Sequence, residues 1–339
     1  MRVIDLVQRT PGWLEWRAQG ISASEVAVIL GRSPYKTPWR LWAEKTGLVR
    51  PETELSSDWF RSKGIAGEDP ARRAFEQAHD TMLLALCAES DADPLFRASF
   101  DGIDDDGHPV ELKVACQAVY QEVLDLGRES TAFHLYWPQV QAQLFVGDQT
   151  KGWLVFWYGP GAWVEFEVER DDAFITATLI PECRAFWDRV QTDKEPPRDP
   201  QRDLFTPTGE ALVQWSRMAV EYRDQAARKA KVDAEAKKLK GNLDLIEEGL
   251  VAMMGDFILA ETAGLKVLRY SQRGNIGYKD ALAALVPDLD PKTLEPFRGA
   301  TSNRVKVTVL TEERAAVPFD QEQLEVVRTE AEADQGFFF

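Results

Sequence analysis

Two short stretches place acids and a lysine at spacings that can do chemistry: Ser99-Phe100-Asp101-Gly102 and Val110-Glu111-Leu112-Lys113. They read as strands, Arg97–Asp101 and Val110–Ala115, joined into a hairpin by the turn Asp104-Asp105-Asp106-Gly107-His108. Successive strand residues point to opposite faces, so Glu111 and Lys113 share a face and the hairpin brings Asp101 beside them. Two carboxylates and the Leu112 carbonyl make an oxygen ligand set for a hard cation such as Mg2+. Lys113 next to them would orient an attacking water or stabilise an oxyanion. Taken alone, the pattern is equally that of a surface cross-strand ion pair. A second run of the same form, Asp224 with Glu235-Ala236-Lys237, falls on a helical pattern, where residues two apart do not share a face.

The elements that must hold these residues are legible on either side. Gly20-Ile21-Ser22-Ala23-Ser24-Glu25 reads as a loop opening a helix, with Ser22 or Ser24 as its cap and Val26, Ile29 and Leu30 as its apolar face. Gly31-Arg32-Ser33-Pro34-Tyr35 ends it, and Thr37-Pro38 starts another that runs to Thr46-Gly47. Helices are expected at Ser56–His79, Ala118–Leu126, Thr131–Phe145 and Ile175–Val190, and further strands at Gly152–Tyr158 and Ala162–Glu169. Together they define an α/β domain over residues 1–192.

A polar, Pro-rich linker spans 193–204, around Glu195-Pro196-Pro197-Arg198-Asp199-Pro200. An accessory, mainly helical or α+β domain is expected over 205–310. Its apolar positions at 212, 215, 219, 222, 226 and 230, and again at 236, 239, 243, 246, 250 and 253, fit one amphipathic helix or an antiparallel pair broken at Gly241-Asn242. Strands are expected at Leu265–Tyr270 and Val305–Leu310, around a small helix at Lys279–Leu285. Residues 311–339 read as an acidic flexible tail, eight acids against two arginines, ending Gly336-Phe337-Phe338-Phe339.

The 339 residues carry a net charge of −16, which argues against non-specific coating of nucleic acid but leaves room for a local basic groove beside an acidic metal site. The longest apolar run, near Met82–Ala88, is too short for a membrane span. Three widely spaced cysteines, Cys87, Cys116 and Cys183, form no CxxC pair and no even disulfide framework, which points to a reducing cytoplasm. With only three histidines (His79, His108, His134), a structural zinc or iron–sulfur site is not expected, and the histidines read as structural.

The surroundings of the hairpin resemble the PD-(D/E)xK nuclease superfamily and, more narrowly, the phage lambda exonuclease / YqaJ-type viral recombinase family. The resemblance rests on Trp13-Leu14-Glu15-Trp16-Arg17, Gly20-Ile21-Ser22-Ala23-Ser24-Glu25-Val26, Gly31-Arg32-Ser33-Pro34-Tyr35, Gly64-x-x-Gly67-Glu68-x-Pro70-Ala71-Arg72, Ser99-x-Asp101-Gly102, Glu111-Leu112-Lys113 and Gln139-Val140-Gln141, in that order. Phe100 stands where the superfamily has Pro, a position that contributes no chemistry. The resemblance implies a restriction-endonuclease-like core, a mixed central sheet flanked by helices, with a mainly helical C-terminal region added.

It also implies roles. Asp101, Glu111, the Leu112 carbonyl and Glu68 would be metal ligands, Lys113 the catalytic lysine, and Gln139 with Tyr136 the helical motif lining the site. Arg17, Ser24 and Ser99 would hold a 5′-terminal phosphate, which suits an arginine with two hydroxyls. Arg32 and Lys36 would reach the DNA, and Trp13 or Trp39 would stack on a base.

Plainer readings stand beside these. Arg17 would snorkel over Trp13, Ser24 would only cap, Glu68 would serve a helix dipole, Gln139 and Gln141 would form a solvated face, and Tyr136 would be core. The activity implied is a Mg2+-dependent 5′-to-3′ exonuclease, Mn2+ substituting, that enters duplex DNA at an end and leaves 3′ overhangs for a single-strand annealing protein, as a ring-shaped homotrimer. The rivals are an endonuclease of the same fold and a catalytically idle DNA-binding adaptor. Arg223–Lys240, with seven basic residues against three acids, is either a solvated helix face or a duplex-tracking arm. The Phe-ended tail would pack on this protein or a neighbouring subunit, or hook a partner protein.

Overall fold

The computed structural model describes residues 1–51, 59–275, 277–300, 307–320, 322 and 326, with 59–66 and 291 described by their backbone. The chain divides into two units: Met1–Thr206 with Thr311–Asp320, and a second built on Pro207–Leu310.

The first unit holds two four-stranded sheets. One has the order β1 (Arg2–Ile4), β3 (Leu86–Glu89), β4 (Phe96–Phe100), β2 (Ile21–Ser22), antiparallel except for the β4–β2 pair. The other has the order β5 (Gly102–Ile103), β6 (Pro109–Val114), β7 (Lys151–Gly159), β8 (Ala162–Glu169), with β6 and β7 parallel and the outer pairs antiparallel. The expected single mixed sheet is thus two mixed sheets, joined where β4 runs through Asp101 into β5. The parallel β6–β7 pair needs a crossover, which the helices Gln117–Leu126 and Thr131–Gly147 supply.

Strand alternation sorts the core. Leu154, Phe156 and Val168 pack with Val140, Leu144 and Phe133 of the Thr131–Gly147 helix. Val110, Leu112 and Val155 face the other way, against Ala71 and Phe75 of the helix Trp59–His79. That helix lies close to β6 at Gly67, where a Cβ would sit 2.8 Å from Val114 Cγ2. A third cluster, around Trp39, Trp42, Phe96, Phe100 and Leu179, fills the space between the first sheet and the helices Pro38–Lys45 and Ile180–Gln191. Thr37 caps Pro38–Lys45, its hydroxyl accepting from Arg40 N–H at 3.0 Å, as its sequence suggests.

Several elements differ from expectation. The Ser22/Ser24 helix is a 3-10 turn, Ala23–Glu25, followed by one α-turn, Val26–Ile29. The helix expected from Ser56 is described from Trp59, and residues 56–58 lie outside the described residues. The linker 193–204 is not free. Glu195 Oε1 accepts from Trp39 Nε1 at 2.7 Å, Arg202 Nη2 donates to the Ser33 carbonyl at 3.0 Å, and Thr37 donates to Asp203. Its prolines withhold backbone donors, and its charged side chains do the bonding instead. Residues 311–320, expected as the start of a flexible tail, pack on the first unit. Arg50 N–H donates to Ala316 O at 2.9 Å, and its guanidinium to Glu312 O at 2.9 Å. The Phe-ended segment 327–339 lies outside the described residues.

In the second unit Gly209–Met253 is one continuous helix of 45 residues, unbroken at Gly241-Asn242; a mid-helix glycine costs only about 1 kcal/mol. A hairpin follows, β9 (Leu259–Thr262) with β10 (Leu265–Leu268), turned at Ala263 and Gly264, both at positive φ. A helix at Tyr278–Leu285 completes it; 307–310 form no strand, and 305–306 lie outside the described residues. Among the described residues, no helix is long and apolar enough to cross a membrane.

Candidate active site

β6 carries two of the candidate residues, Glu111 and Lys113, and its alternation decides where they go. Val110 and Leu112 turn to the Trp59–His79 helix, so Glu111 and Lys113 turn to the Thr131–Gly147 helix. Glu111 is 2 % exposed, which excludes the surface ion pair. Its Oε1 lies 2.5 Å from Lys113 Nζ, and its Oε2 accepts from Gln143 Nε2 at 2.5 Å. Lys113 Nζ also donates to Gln139 Oε1 at 3.2 Å and sits 4.3 Å from the centre of the Tyr136 ring. Asp101, at the β4–β5 junction, accepts from Leu112 N–H at 3.0 Å.

The electrostatics follow from burial and from like charges set together. Burial, and then the neighbouring Glu111 carboxylate, push Asp101 up to about 8, against the pull of Lys113. Burial works against the Lys113 ammonium, but Glu111, Tyr136 and Asp101 outweigh it and raise its pKa, so it is a fixed cation. Burial raises the Tyr136 phenol, with Lys113 opposing.

Two opposed carboxylates beside a backbone carbonyl fit a hard oxygen-loving cation, which would relieve their repulsion. Glu68 is not in place as a third ligand. Arg9, at φ +70°, grips both its oxygens at 2.6 Å, and among the described residues no three acidic, His or Cys side chains are gathered closely enough to hold a metal ion.

Arg17, Ser24 and Ser99 come together through Trp13. Arg17 Nη2 donates to Ser24 Oγ at 3.0 Å, and its guanidinium lies 4.6 Å over the Trp13 ring. Trp13 Nε1 in turn donates to Ser99 Oγ at 2.7 Å. Arg17 therefore both stacks and bonds, and its buried Nε has no partner. Glu25 stands behind, 3.8 Å from Arg17 and 3.1 Å from Lys45. Burial opposes its ionisation, but Lys45 and Arg17 prevail and hold its carboxyl below the usual range.

Some candidates go elsewhere. Trp39 is fully buried and cannot stack on a base. Lys36 is paired with Glu44 at 2.7 Å, and Arg32 lies over Phe174. Gln139 and Gln141 are buried rather than solvated. Gln141 faces away from Lys113, bonding the Glu169 carbonyl and the Asp171 N–H at 2.8 Å each. Gln143 and Arg9 were missed by sequence reasoning. Gln143 had a signal, since it follows Gln139 by four residues on a helix. Arg9 had none, because its partner lies 59 residues away.

A mixed α/β domain thus seats an Asp…Glu-x-Lys corner under a Gln-bearing helix. Residues 12–150 match the YqaJ-like viral recombinase domain, which bears out the resemblance drawn from the sequence. The uncharacterized protein YqaJ of Bacillus subtilis (strain 168) is 27 % identical over 191 residues, covering 55 % of this chain and 58 % of that protein. The chain thus spans just over half the length of the curated relative it matches. Among solved structures, the alkaline exonuclease LHK-Exo of Laribacter hongkongensis aligns with a TM-score of 0.47 at 21 % identity, covering 54 % of this chain and 94 % of that one. A phage-related exonuclease from Haemophilus somnus 129PT aligns with a TM-score of 0.39 at 12 % identity, covering 51 % and 96 %.

Proposed function

We propose that the chain is a divalent-cation-dependent deoxyribonuclease, a 5′-to-3′ exonuclease that acts on the ends of double-stranded DNA and leaves 3′ overhangs for a single-strand annealing protein. The observation that carries this reading is the buried Glu111 carboxylate, held by Lys113 and Gln143 and set against Asp101. A pair of buried carboxylates in mutual repulsion is a costly arrangement unless a cation joins it.

In this reading Asp101, Glu111 and the Leu112 carbonyl hold Mg2+ or Mn2+, and Glu68 adds a further ligand once it leaves Arg9. The cation supplies Lewis-acid polarisation of the scissile phosphate and activation of water. Lys113 keeps its proton, so it acts as a fixed charge toward the developing oxyanion, steadied by Gln139 and the Tyr136 ring. Arg17, Ser24 and Ser99 hold the 5′-terminal phosphate, which sets the polarity of digestion. A homotrimer working in the cytoplasm belongs to the same proposal, by family likeness and cysteine content.

The test is digestion of linear and closed-circular duplex, each with Mg2+ or with EDTA. Loss of linear DNA alone, only with Mg2+, and abolished in Asp101→Ala while DNA binding persists, is the expected result. Nicking of the circle would turn the reading to an endonuclease, and full activity of Asp101→Ala would overturn the site.

A further inference from the structure

The Glu-x-Lys pair is clamped from above by one helix at two points a turn apart. Gln139 Oε1 accepts from Lys113, and Gln143 Nε2 donates to Glu111. Gln143 is 0 % exposed, sits on none of the positions that the family likeness assigns, and has no part in the chemistry described above. Its other amide atom, Oε1, is buried without a partner in the protein. The orientation of the amide is therefore fixed by Glu111 alone. Turned over, it would set its carbonyl oxygen against a carboxylate oxygen at about the same short distance, lone pair to lone pair.

Leaving an amide oxygen buried and unbonded is unfavourable, because its lost hydration goes uncompensated. The fold tolerates this at Gln143 and satisfies Gln141, two residues earlier, on both its amide atoms. The difference lies in what each amide faces. Gln141 ties helix to backbone, whereas Gln143 spends its one good bond on a carboxylate of the candidate metal corner. Lys113 holds the other oxygen of Glu111, so the two donors together leave the carboxylate no freedom to rotate about its last bond.

We propose that Gln143 is a positioning residue for metal binding. It pins the Glu111 carboxylate in the plane that presents its remaining lone pairs toward Asp101, so that the corner is preorganised for a divalent cation. This rests on the reading of Asp101 and Glu111 as a metal site. Hydrogen-bond partners of metal-ligating carboxylates typically govern about 10–100-fold of metal affinity, and this one acts before any substrate arrives.

The experiment is a calorimetric titration of the full chain with Mn2+, without DNA, alongside thermal unfolding and the exonuclease rate at saturating Mn2+. Gln143→Met keeps length and volume but removes the donor. The expected result is a dissociation constant for Mn2+ raised by roughly 10–100-fold, with the rate at saturating metal recovered to within a few-fold. Gln141→Met is the control for a merely structural glutamine: lower thermal stability with an unchanged Mn2+ constant. Should Gln143→Met fail to fold, Gln143→Asn carries the same test, because its amide is one methylene too short to reach Glu111.

An unchanged Mn2+ constant in the Gln143 variant, or an equal loss in Gln141→Met, overturns the proposal. Asp101→Asn separates the two levels. If it binds Mn2+ like wild type, the metal-site reading itself fails, whatever Gln143 does. If it loses binding while Gln143→Met does not, only the positioning role fails.

Discussion

Around Asp101 two buried carboxyl groups face one cation, Lys113; around Arg17 two cations, Arg17 and Lys45, face one carboxylate, Glu25. The two regions are built by opposite means. In the first, like charges are forced together and one carboxyl is driven to hold its proton. In the second, a carboxylate is inserted between two cations and held ionised. In the proposed function the first region would take a cation, which relieves the crowded carboxyl groups, and the second an anion, which answers the paired cations. In that proposal the Asp101 corner does the chemistry and the Arg17 cluster the gripping.

That contrast can be broken at either end. The largest effect is expected from Lys113→Ala, which removes the cation that contacts Glu111. The rate at saturating Mg2+ should fall on the order of 10²–10³-fold with DNA affinity little changed, read from single-turnover digestion. A loss of affinity of the same size would move Lys113 from chemistry to grip. Arg17→Ala should do the reverse. Wild type should prefer a 5′-phosphorylated end to a 5′-hydroxyl end, and the variant should digest both alike. If wild type shows no preference, the Arg17 cluster is not a phosphate site.

Arg9→Ala sharpens the account of Glu68. The pair is partly exposed, worth about 0–1 kcal/mol, so freeing Glu68 should lower the Mg2+ concentration for half-maximal rate by at most roughly fivefold. An increase would mean that Arg9 serves the substrate instead.

The smallest effect concerns acid stability. The Glu25 carboxyl is held below its ordinary value of 4.5, so its contribution to stability is full above that value and is lost as pH falls through the lower folded-state value. Melting temperatures from pH 6 down to pH 3 should therefore drop more steeply for wild type than for Glu25→Gln. Parallel curves would show that Glu25 contributes nothing through its charge.

How much of this was legible depended on sequence distance. Glu111, Lys113 and Asp101 were placed correctly because a hairpin and a period of two relate them directly. Thr37-Pro38 named its own helix start. The strands β1, β2 and β3 were invisible: they are two to four residues long, and their pairing is set by partners across the chain rather than by local pattern. The plainer reading of Gln139 and Gln141 as a solvated face failed because the helix Thr131–Gly147 is covered on both sides, which polar residues in its sequence conceal. The Pro-rich linker misled for a related reason, since composition does not show that Trp39 and Thr37 wait for its carboxylates. Glu68 was found by resemblance, but its capture by Arg9 could be seen only in three dimensions.

Ser99 lies in the last turn of the strand alternation before Asp101, and only Phe100 separates them. Phe100 is fully buried, and its carbonyl accepts from Gln8 at 3.0 Å, so this span is braced at its middle. A pull on Ser99 thus cannot be absorbed by slack; it is delivered to Asp101 as along a short stiff rod hinged between two plates. In the proposed function, tension on a gripped strand end would displace a carboxylate relative to Leu112, whose N–H is the tether on the far side. In the proposed function, holding and cutting would be mechanically in series.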